Sequence, residues 1–188
     1  MSTPSPAIPE AERPQARPVT LQRYAARVVV VDPDEHVLLF KLRNSRSGNE
    51  WWSTPGGGLN PGEKSIAGAA RELKEETGLV AVDLQGPVWD ADHWYRAGAD
   101  LVHQRERFFL LRVPRFTPEM GGMDPIEAGA TIEARWWSVP EMLTTSERIY
   151  PRGIGDLVTA LLRDGVPDRP IRLARGSRDP GQVRETAP

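Results

Sequence analysis

The amino-acid sequence predicts an α+β fold in which a mixed β-sheet lies between helices. Apolar segments of strand length, separated by turn residues, occupy most of the chain. One segment of helical composition, beginning near Ser65, interrupts them, and two helical segments follow near the C-terminal end. An order of strands, helix, strands and helices is typical of α+β domains. A chain of 188 residues is long enough for one such domain with additional tails.

The N-terminal elements follow from composition. A valine-rich segment and a second apolar segment flank the turn residues Asp32-Pro33-Asp34-Glu35, which predicts a hairpin. A polar loop from Arg43 to Glu50 then leads to a short strand before a run of glycines. The predicted strands in this part are Tyr24–Val31, Val37–Leu42 and Trp51–Thr54.

The second half alternates strands and loops before its helices. Gly86-Pro87 either interrupts one predicted strand or marks it as an edge strand. Gly98-Ala99-Asp100 is predicted to be a turn. The long irregular segment from Pro114 to Ala130 has the length of a functional loop. The predicted strands are Val80–Trp89, His93–Arg96, Val102–Val113 and Glu133–Val139, and the predicted helices are Pro140–Thr144 and the amphipathic Gly155–Arg163.

Composition also predicts the domain limits. Residues 1–19 are rich in proline and are expected to form a flexible arm, with a docked extended arm as the alternative. Residues 20–168 carry the apolar patterns of a folded domain, and residues 169–188 form a polar tail. The arginines of this tail are interleaved with acidic residues, which favours a solvated segment over a nucleic-acid contact.

Charge and residue usage exclude several classes of protein. The net charge of −2 does not favour binding to nucleic acid or to an anionic membrane. The absence of cysteine excludes disulfides, thiolate catalysis and cysteine-bound zinc. No apolar run approaches the roughly 20 residues of a membrane span, and the N-terminus lacks the order of a signal peptide. A cytoplasmic protein that does not bind membranes is therefore expected.

A glycine turn followed by an acidic helix is the main functional signal. Glu72, Glu75 and Glu76 have the i, i+3, i+4 spacing that places side chains on one side of a helix. Carboxylates at this spacing repel one another, and a divalent cation would reverse the sign of that energy. Oxygen ligands of this kind suit Mg²⁺ or Mn²⁺. An ordinary solvated acidic helix face is the alternative interpretation.

The full spacing of this region resembles the Nudix box, the signature of the Nudix hydrolases. The pattern G-x5-E-x7-R-E-U-x-E-E-x-G-U, in which U is a bulky aliphatic residue, is met at every fixed position by Gly57, Glu63, Arg71, Glu72, Leu73, Glu75, Glu76, Gly78 and Leu79. The resemblance implies a Nudix-type α/β/α sandwich and covers about Tyr24 to Arg163. It leaves both tails unexplained.

The resemblance also implies roles for individual residues. Glu72, Glu75 and Glu76 are expected to bind Mg²⁺ or Mn²⁺, with the Gly56 carbonyl as a further ligand. Arg71 is expected to orient a helix carboxylate. Glu63 is expected to be structural and to pair with Arg71.

The sequence and the resemblance leave the general base and the substrate contacts less well defined than the cation ligands. The base is either Glu72 or a carboxylate of the later loop, where Glu127 is the first candidate and Glu119 the second. The backbone of a glycine can approach a ligand closely because no side chain intervenes. Arginines can bind phosphate, and the alternative is that they are solvated loop or strand cations. The candidate substrate contacts are Arg43, Trp52, Gly57, Gly58 and Arg107.

Three functional hypotheses follow. The first is a hydrolase that uses Mg²⁺ and water to cleave a nucleoside diphosphate linked to another group, either a nucleoside triphosphate or an ADP-ribose-like compound. The second is a Nudix module that binds such a nucleotide without cleaving it, and the third is a structural domain with a solvated acidic helix. Because dimers are common in the family, a homodimer is a further expectation, whereas the sequence does not require a nucleic-acid partner.

Overall fold

A nine-stranded mixed β-sheet dominates the computed structural model, which describes residues 19–45, 47–81, 83–97, 100–122 and 129–174. The strands are β1 (Thr20–Val31), β2 (His36–Arg43), β3 (Glu50–Ser53), β4 (Gly56–Gly58), β5 (Gln85–Ala97), β6 (Asp100–Arg112), β7 (Thr131–Ser138), β8 (Ile149–Tyr150) and β9 (Ile171–Arg172). The helices are α1 (Ser65–Thr77), α2 (Val139–Thr144) and α3 (Ile154–Asp164), and a 3-10 turn spans Met120–Gly122. None of these helices is long and apolar enough to cross a membrane.

Strand β1 lies at the centre of the sheet. The strand order is β8-β3-β2-β1-β6-β5-β9, while β4 also pairs with β1 and β7 with β2. Strand β1 is antiparallel to β2 and β4 and parallel to β6, with a continuous register from the pair Thr20 and Leu101 to the pair Val31 and Arg112. The presence of both parallel and antiparallel pairs confirms the predicted mixed sheet.

Helices cover both faces of this sheet. Because side chains alternate along a strand, the valines of β1 divide between two apolar clusters. Val28 and Val30 face α1, where Ala69 and Leu73 are fully buried. On the opposite face, residues of the sheet pack in one cluster with Met142 of α2 and Val158 of α3. The sheet residues of this cluster include Val29, Trp89 and Phe108. The arrangement of helix, sheet and helix agrees with the predicted α/β/α sandwich.

The acidic helix α1 ends where the sequence predicts. Gly78 has a φ of 74°, in the left-handed region that favours glycine, and its N–H donates to the Lys74 carbonyl. At the other end, a Cβ at Gly68 would lie only 2.2 Å from Leu59 Cδ2. The segment between β4 and α1 therefore packs directly on the helix and fixes the helix relative to the glycine turn.

Two sequence predictions are wrong. The predicted strand Val80–Trp89 begins too early, because β5 starts at Gln85. Its C-terminal part and the predicted strand His93–Arg96 belong to the single strand β5, since pairing with β6 is continuous from Trp89 to Ala97 after an irregularity between Gln85 and Trp89. The predicted domain limit at residue 168 is too early. Strand β9 pairs with Trp89 and Asp90 of β5, and Leu173 is buried in the core.

Candidate active site

The glycine turn lies so close to β1 and α1 that side chains are excluded from it. A Cβ at Gly56, whose φ is 128°, would lie 2.2 Å from the carbonyl oxygen of Ala26. A Cβ at Gly57 would lie 2.5 Å from Glu72 Oε2. These two glycines therefore allow the backbone of β4 to contact the strand on one side and a buried carboxylate on the other.

Arg71 is the centre of the acidic cluster. Its Nε and Nη2 donate to the two carboxylate oxygens of Glu63, each at 3.0 Å. Its Nη1 donates to Glu72 Oε1 at 2.8 Å and to Glu75 Oε2 at 3.0 Å, and its Nη2 also donates to the Gly58 carbonyl at 2.9 Å. One guanidinium thus joins three carboxylates to the glycine turn, a geometry that suits the bidentate fork of arginine.

The charges in this cluster reinforce one another. The hydrogen bond to Glu63 is the largest cause that raises the pKa of Arg71, followed among the favourable causes by its contact with Glu72. In turn, Arg71 and the backbone N–H of Asn60 hold the pKa of Glu63 below its ordinary value. The pairing agrees with the expectation that Glu63 supports Arg71.

Glu76 is held by the turn rather than by Arg71 in the contacts described. The backbone N–H of Gly56 donates to Glu76 Oε2 at 2.7 Å. Glu72 is 4% exposed, whereas the side chain of Glu75 is 41% exposed. The three carboxylates therefore differ in exposure: that of Glu72 is buried against Gly57, whereas that of Glu75, near the end of α1, is accessible.

The donor set fits a divalent cation that is completed by its substrate. Among the described residues, no group of three or more acidic or histidine side chains is placed to hold a metal ion. Mg²⁺ usually binds through one or two carboxylates together with waters and substrate phosphates, so three such side chains are not required. The oxygens of Glu75 and Glu76 are of the hard type that this cation prefers. The Gly56 carbonyl, the fourth predicted ligand, lies 3.4 Å from Arg27 Nη1.

A pocket of about 820 Å³ adjoins this cluster. Gly58, Glu63, Tyr24 and Arg107 are among its lining residues, whereas Glu72, Glu75 and Glu76 are not. Two of the predicted substrate contacts, Gly58 and Arg107, therefore come together at one opening.

The floor of the pocket combines an aromatic ring with cations. Tyr24 is 50% exposed and is the register partner of Arg105. The side chain of Arg107 is 55% exposed, and its Nε lies 3.5 Å from Asp90 Oδ1, which accepts no hydrogen bond within the described part of the chain. The pocket thus offers a stacking surface and guanidinium groups with long, weak ion pairs.

Trp52 and Arg43 lie in other surroundings. Trp52 is 2% exposed, packs edge-on against Trp137 at a centroid distance of 5.0 Å, and donates from Nε1 to Glu147 Oε2 at 2.7 Å. It is a core residue and not the predicted substrate contact, because a ring so completely covered has no free face for a ligand. Arg43 donates from Nε to Glu50 Oε1 at 2.9 Å and does not line the pocket.

The candidate base Glu127 lies outside the described residues. The segment that precedes it reaches α1, because a Cβ at Gly122 would lie 2.6 Å from the carbonyl oxygen of Glu75. Glu119, the second candidate, packs against Gly78 at the end of the helix, and its N–H donates to the Thr77 carbonyl at 2.9 Å.

Sequence reasoning missed a buried ion pair beneath the turn. Arg27 on β1 and Glu106 on β6 are joined by a hydrogen bond of 2.8 Å between Nε and Oε1. Each of the two apolar strands carries a charged residue at an inward-facing position. Buried strands rarely contain such a residue, so this was the signal in the sequence.

Comparisons with known proteins find related sequences. A family model described as NUDIX domain matches residues 21–155. An RNA pyrophosphohydrolase of Caulobacter vibrioides is 31% identical over 179 residues, which cover 89% of this chain and 98% of that protein. An RNA pyrophosphohydrolase of Haemophilus ducreyi is 27% identical over 159 residues, which cover 75% of this chain and 80% of that one.

Solved structures share the fold. A MutT protein from Methanosarcina mazei Go1 has a TM-score of 0.53 and 23% identity, covering 77% of this chain and 96% of its own. The NUDIX domain of Shewanella oneidensis NrtR, solved in complex with ADP ribose, has a TM-score of 0.56 and 14% identity, covering 75% of this chain and 88% of its own.

Proposed function

The chain belongs to the Nudix family and is a pyrophosphohydrolase, and from this premise we propose that it cleaves a nucleoside diphosphate linked to another moiety. The nucleophile is water, and the cofactor is Mg²⁺ or Mn²⁺. The observation that carries the proposal is the arrangement of Glu63, Glu72 and Glu75 around Arg71, directly beside the glycine turn.

The cluster suggests a division of roles. Glu72, Glu75 and Glu76 would hold the cation, which when bound neutralises phosphate oxygens and lowers the pKa of a water molecule. Arg71 would hold the side chains of Glu72 and Glu75 in one conformation before the substrate binds, so that less conformational freedom is lost on binding. The 2.7 Å hydrogen bond from Gly56 would do the same for Glu76.

The pocket supports a nucleotide as the substrate. A base can stack on the exposed ring of Tyr24, and phosphate oxygens can accept hydrogen bonds from Arg105 or Arg107. Gly58 and Glu63 are shared by the pocket and the Arg71 cluster, so a substrate lying in the pocket can extend its phosphates toward the carboxylates. Nucleoside triphosphates and ADP-ribose-like compounds both have this composition.

The general base is proposed to come from the loop after β6. Glu72 is 4% exposed and its Oε1 accepts a hydrogen bond from Arg71, so it is less accessible to an attacking water molecule than a carboxylate on a loop. Gly122 lies on the backbone of Glu75, which supports Glu127, five residues later, as the first candidate. Glu119 is the second.

The proposal is tested by chromatographic identification of the nucleotide, sugar-phosphate and pyrophosphate products formed from a panel of substrates. The panel contains nucleoside triphosphates, ADP-ribose, a dinucleoside polyphosphate and, because the named relatives are RNA pyrophosphohydrolases, RNA with a 5′-triphosphate. Glu76→Gln is expected to lower kcat by about 100-fold or more, or about 2.7 kcal/mol of transition-state stabilisation, with little change in Tm. Glu133→Gln, at an exposed position of β7, is the matched control.

Cation dependence completes the test. Activity is expected with Mg²⁺ or Mn²⁺ and none with excess chelator. Absence of turnover with every substrate and cation would refute the hydrolase. Tight binding of ADP-ribose without product would then support the non-catalytic nucleotide-binding module.

A further inference from the structure

Two opposite charges lie buried in the sheet next to the glycine turn. The side chains of Arg27 on β1 and Glu106 on β6 are 10% and 0% exposed, and they share a hydrogen bond of 2.8 Å. Their neighbours on the same face of these strands, Val29 and Phe108, are fully buried and apolar. A buried ion pair often stabilises a fold no more than apolar residues of similar size do, so a contribution to stability is a weak explanation for the presence of this pair. Its other contacts indicate a more specific role.

Glu106 is held as a fixed anion. Gln104 Nε2 donates to Glu106 Oε1 at 2.9 Å, and the Tyr150 hydroxyl donates to Glu106 Oε2. Burial alone would raise the pKa of Glu106, but the charge of Arg27, the proximity of His93 and the hydrogen bonds from Tyr150 and Arg27 outweigh it and keep the pKa below its ordinary value. The carboxylate is therefore a rigid anchor for Arg27.

The opposite end of Arg27 holds the backbone that leads into the turn. Its Nη1 lies 3.1 Å from Ser53 Oγ, 3.2 Å from the Thr54 carbonyl and 3.4 Å from the Gly56 carbonyl. The neighbouring Val28 N–H adds a hydrogen bond of 2.8 Å to the Pro55 carbonyl. One guanidinium nitrogen thus contacts three of the four residues from Ser53 to Gly56.

The residue that Arg27 contacts, Gly56, also contacts one of the proposed cation ligands, Glu76. The carbonyl of Gly56 faces Arg27, while its N–H donates to Glu76 Oε2 at 2.7 Å. We propose that Arg27 and Glu106 are positioning residues that fix Gly56 and thereby set the affinity for the divalent cation. This inference rests on the proposed function, because it concerns the cation that Glu72, Glu75 and Glu76 would hold.

Substitutions can separate this role from general packing. Arg27→Lys keeps the positive charge for Glu106, but a single ammonium group cannot reproduce a fork that spans Glu106 and the turn. A double variant, Arg27→Met with Glu106→Gln, removes both charges and leaves no unpaired ion in the core. Both variants lose the contacts between Arg27 and the turn. They differ in that Arg27→Lys keeps a buried charge pair, whereas the double variant removes it.

The readout is Mn²⁺ binding to the full chain without substrate, measured by electron paramagnetic resonance of free Mn²⁺. Both variants are expected to weaken Mn²⁺ binding by about 10- to 100-fold, the usual effect of removing a partner that orients a metal ligand. The cation concentration for half-maximal activity should rise in parallel, whereas KM for the nucleotide at saturating cation should stay within about twofold.

The matched control is Arg115→Lys. Arg115 also forms a short ion pair with a buried carboxylate, because its Nε lies 2.6 Å from Asp32 Oδ2, but it does not contact the turn in the described interactions. This variant should show unchanged Mn²⁺ affinity, and its loss of Tm should be smaller than that of Arg27→Lys, because the Arg115 side chain is 47% exposed and that of Arg27 10%.

The outcomes are distinguishable. Wild-type Mn²⁺ affinity in both Arg27 variants, with loss only of Tm, would overturn the inference and leave the hydrolase proposal intact. Absence of Mn²⁺ binding in the wild type would instead refute the proposed cation site and the inference with it. If the double variant fails to fold, Arg27→Lys alone decides, because its charge remains paired.

Discussion

Gly57 offers the sharpest perturbation of the acidic cluster. An alanine Cβ at this position would lie 2.5 Å from Glu72 Oε2 and 2.7 Å from its carboxylate carbon, whereas ordinary van der Waals contact begins at 3.4 Å. The backbone accepts alanine, since Gly57 is not among the glycines with positive φ. The carboxylate of Glu72 must therefore move by about 0.9 Å, which would also disturb its 2.8 Å hydrogen bond from Arg71.

The kinetic effect should exceed the effect on stability. A displacement of about 1 Å in a catalytic group can reduce a rate by about 100-fold, so Gly57→Ala is expected to lower kcat by about that factor. Overpacking by one methyl group costs about 1 kcal/mol, or about 2–4 °C in Tm for a domain of this size. Steady-state kinetics with the best substrate of the panel, together with thermal unfolding, measures both effects.

Two other glycines calibrate the result. Gly121→Ala adds a methyl group in open space and should behave as wild type. Gly58→Ala places its methyl 3.5 Å from Arg23 Nη2, an ordinary contact, so any loss should be in KM. A Gly57→Ala enzyme with the kcat of the Gly121→Ala enzyme would refute the reasoning that the position of Glu72 limits the rate.

The remaining predictions concern pH, the pocket and the core. The pKa of Glu63 is held below its ordinary value of 4.5, chiefly by the hydrogen bond from Arg71, so the stability that this carboxylate contributes is complete above that pH and is lost as the pH falls through the lower folded pKa. The Tm difference between wild type and Glu63→Gln should therefore be present at pH 7 and disappear once the pH is below the folded pKa. A difference that persists at every acidic pH would contradict this expectation. Tyr24→Leu should raise KM by about 3- to 10-fold with kcat unchanged, and an unchanged KM would exclude stacking on Tyr24. Trp52→Phe should lower Tm without changing KM, because it removes the hydrogen bond to Glu147 and leaves a cavity; the reverse pattern would return Trp52 to the substrate site.

Local patterns predicted the helix and its acidic face. The limits of α1 follow from helix-forming residues and from Gly78, which are neighbours in the sequence. The spacing of Glu72, Glu75 and Glu76 placed them together, but it did not predict that Glu76 would accept a hydrogen bond from Gly56, 20 positions away. Spacing along a helix defines a face, whereas the rotamer of each side chain depends on what packs opposite.

Contacts between distant segments were beyond the sequence. Arg27 and Glu106 are 79 positions apart, and their meeting depends on the parallel register of β1 and β6. Trp52 was misinterpreted because it lies near the glycine turn in sequence. Its ring packs in the core cluster, and the neighbouring Trp51 is also partly buried against that cluster, so neither sequence distance nor alternation gives the face of so short a strand.

The central strand has a consequence for any attempt to alter substrate preference. Tyr24 and Arg27 lie on opposite faces of β1, one toward the pocket and the other toward the anchor of the turn. Inserting or deleting a residue between them would turn one of the two side chains over, so that both lie on the same face; a single strand therefore couples ligand choice to the geometry of the reaction. Engineers who wish to reshape the pocket should begin at Asp90 and Asp92 of β5, where new side chains can be introduced without moving the strand that holds the turn.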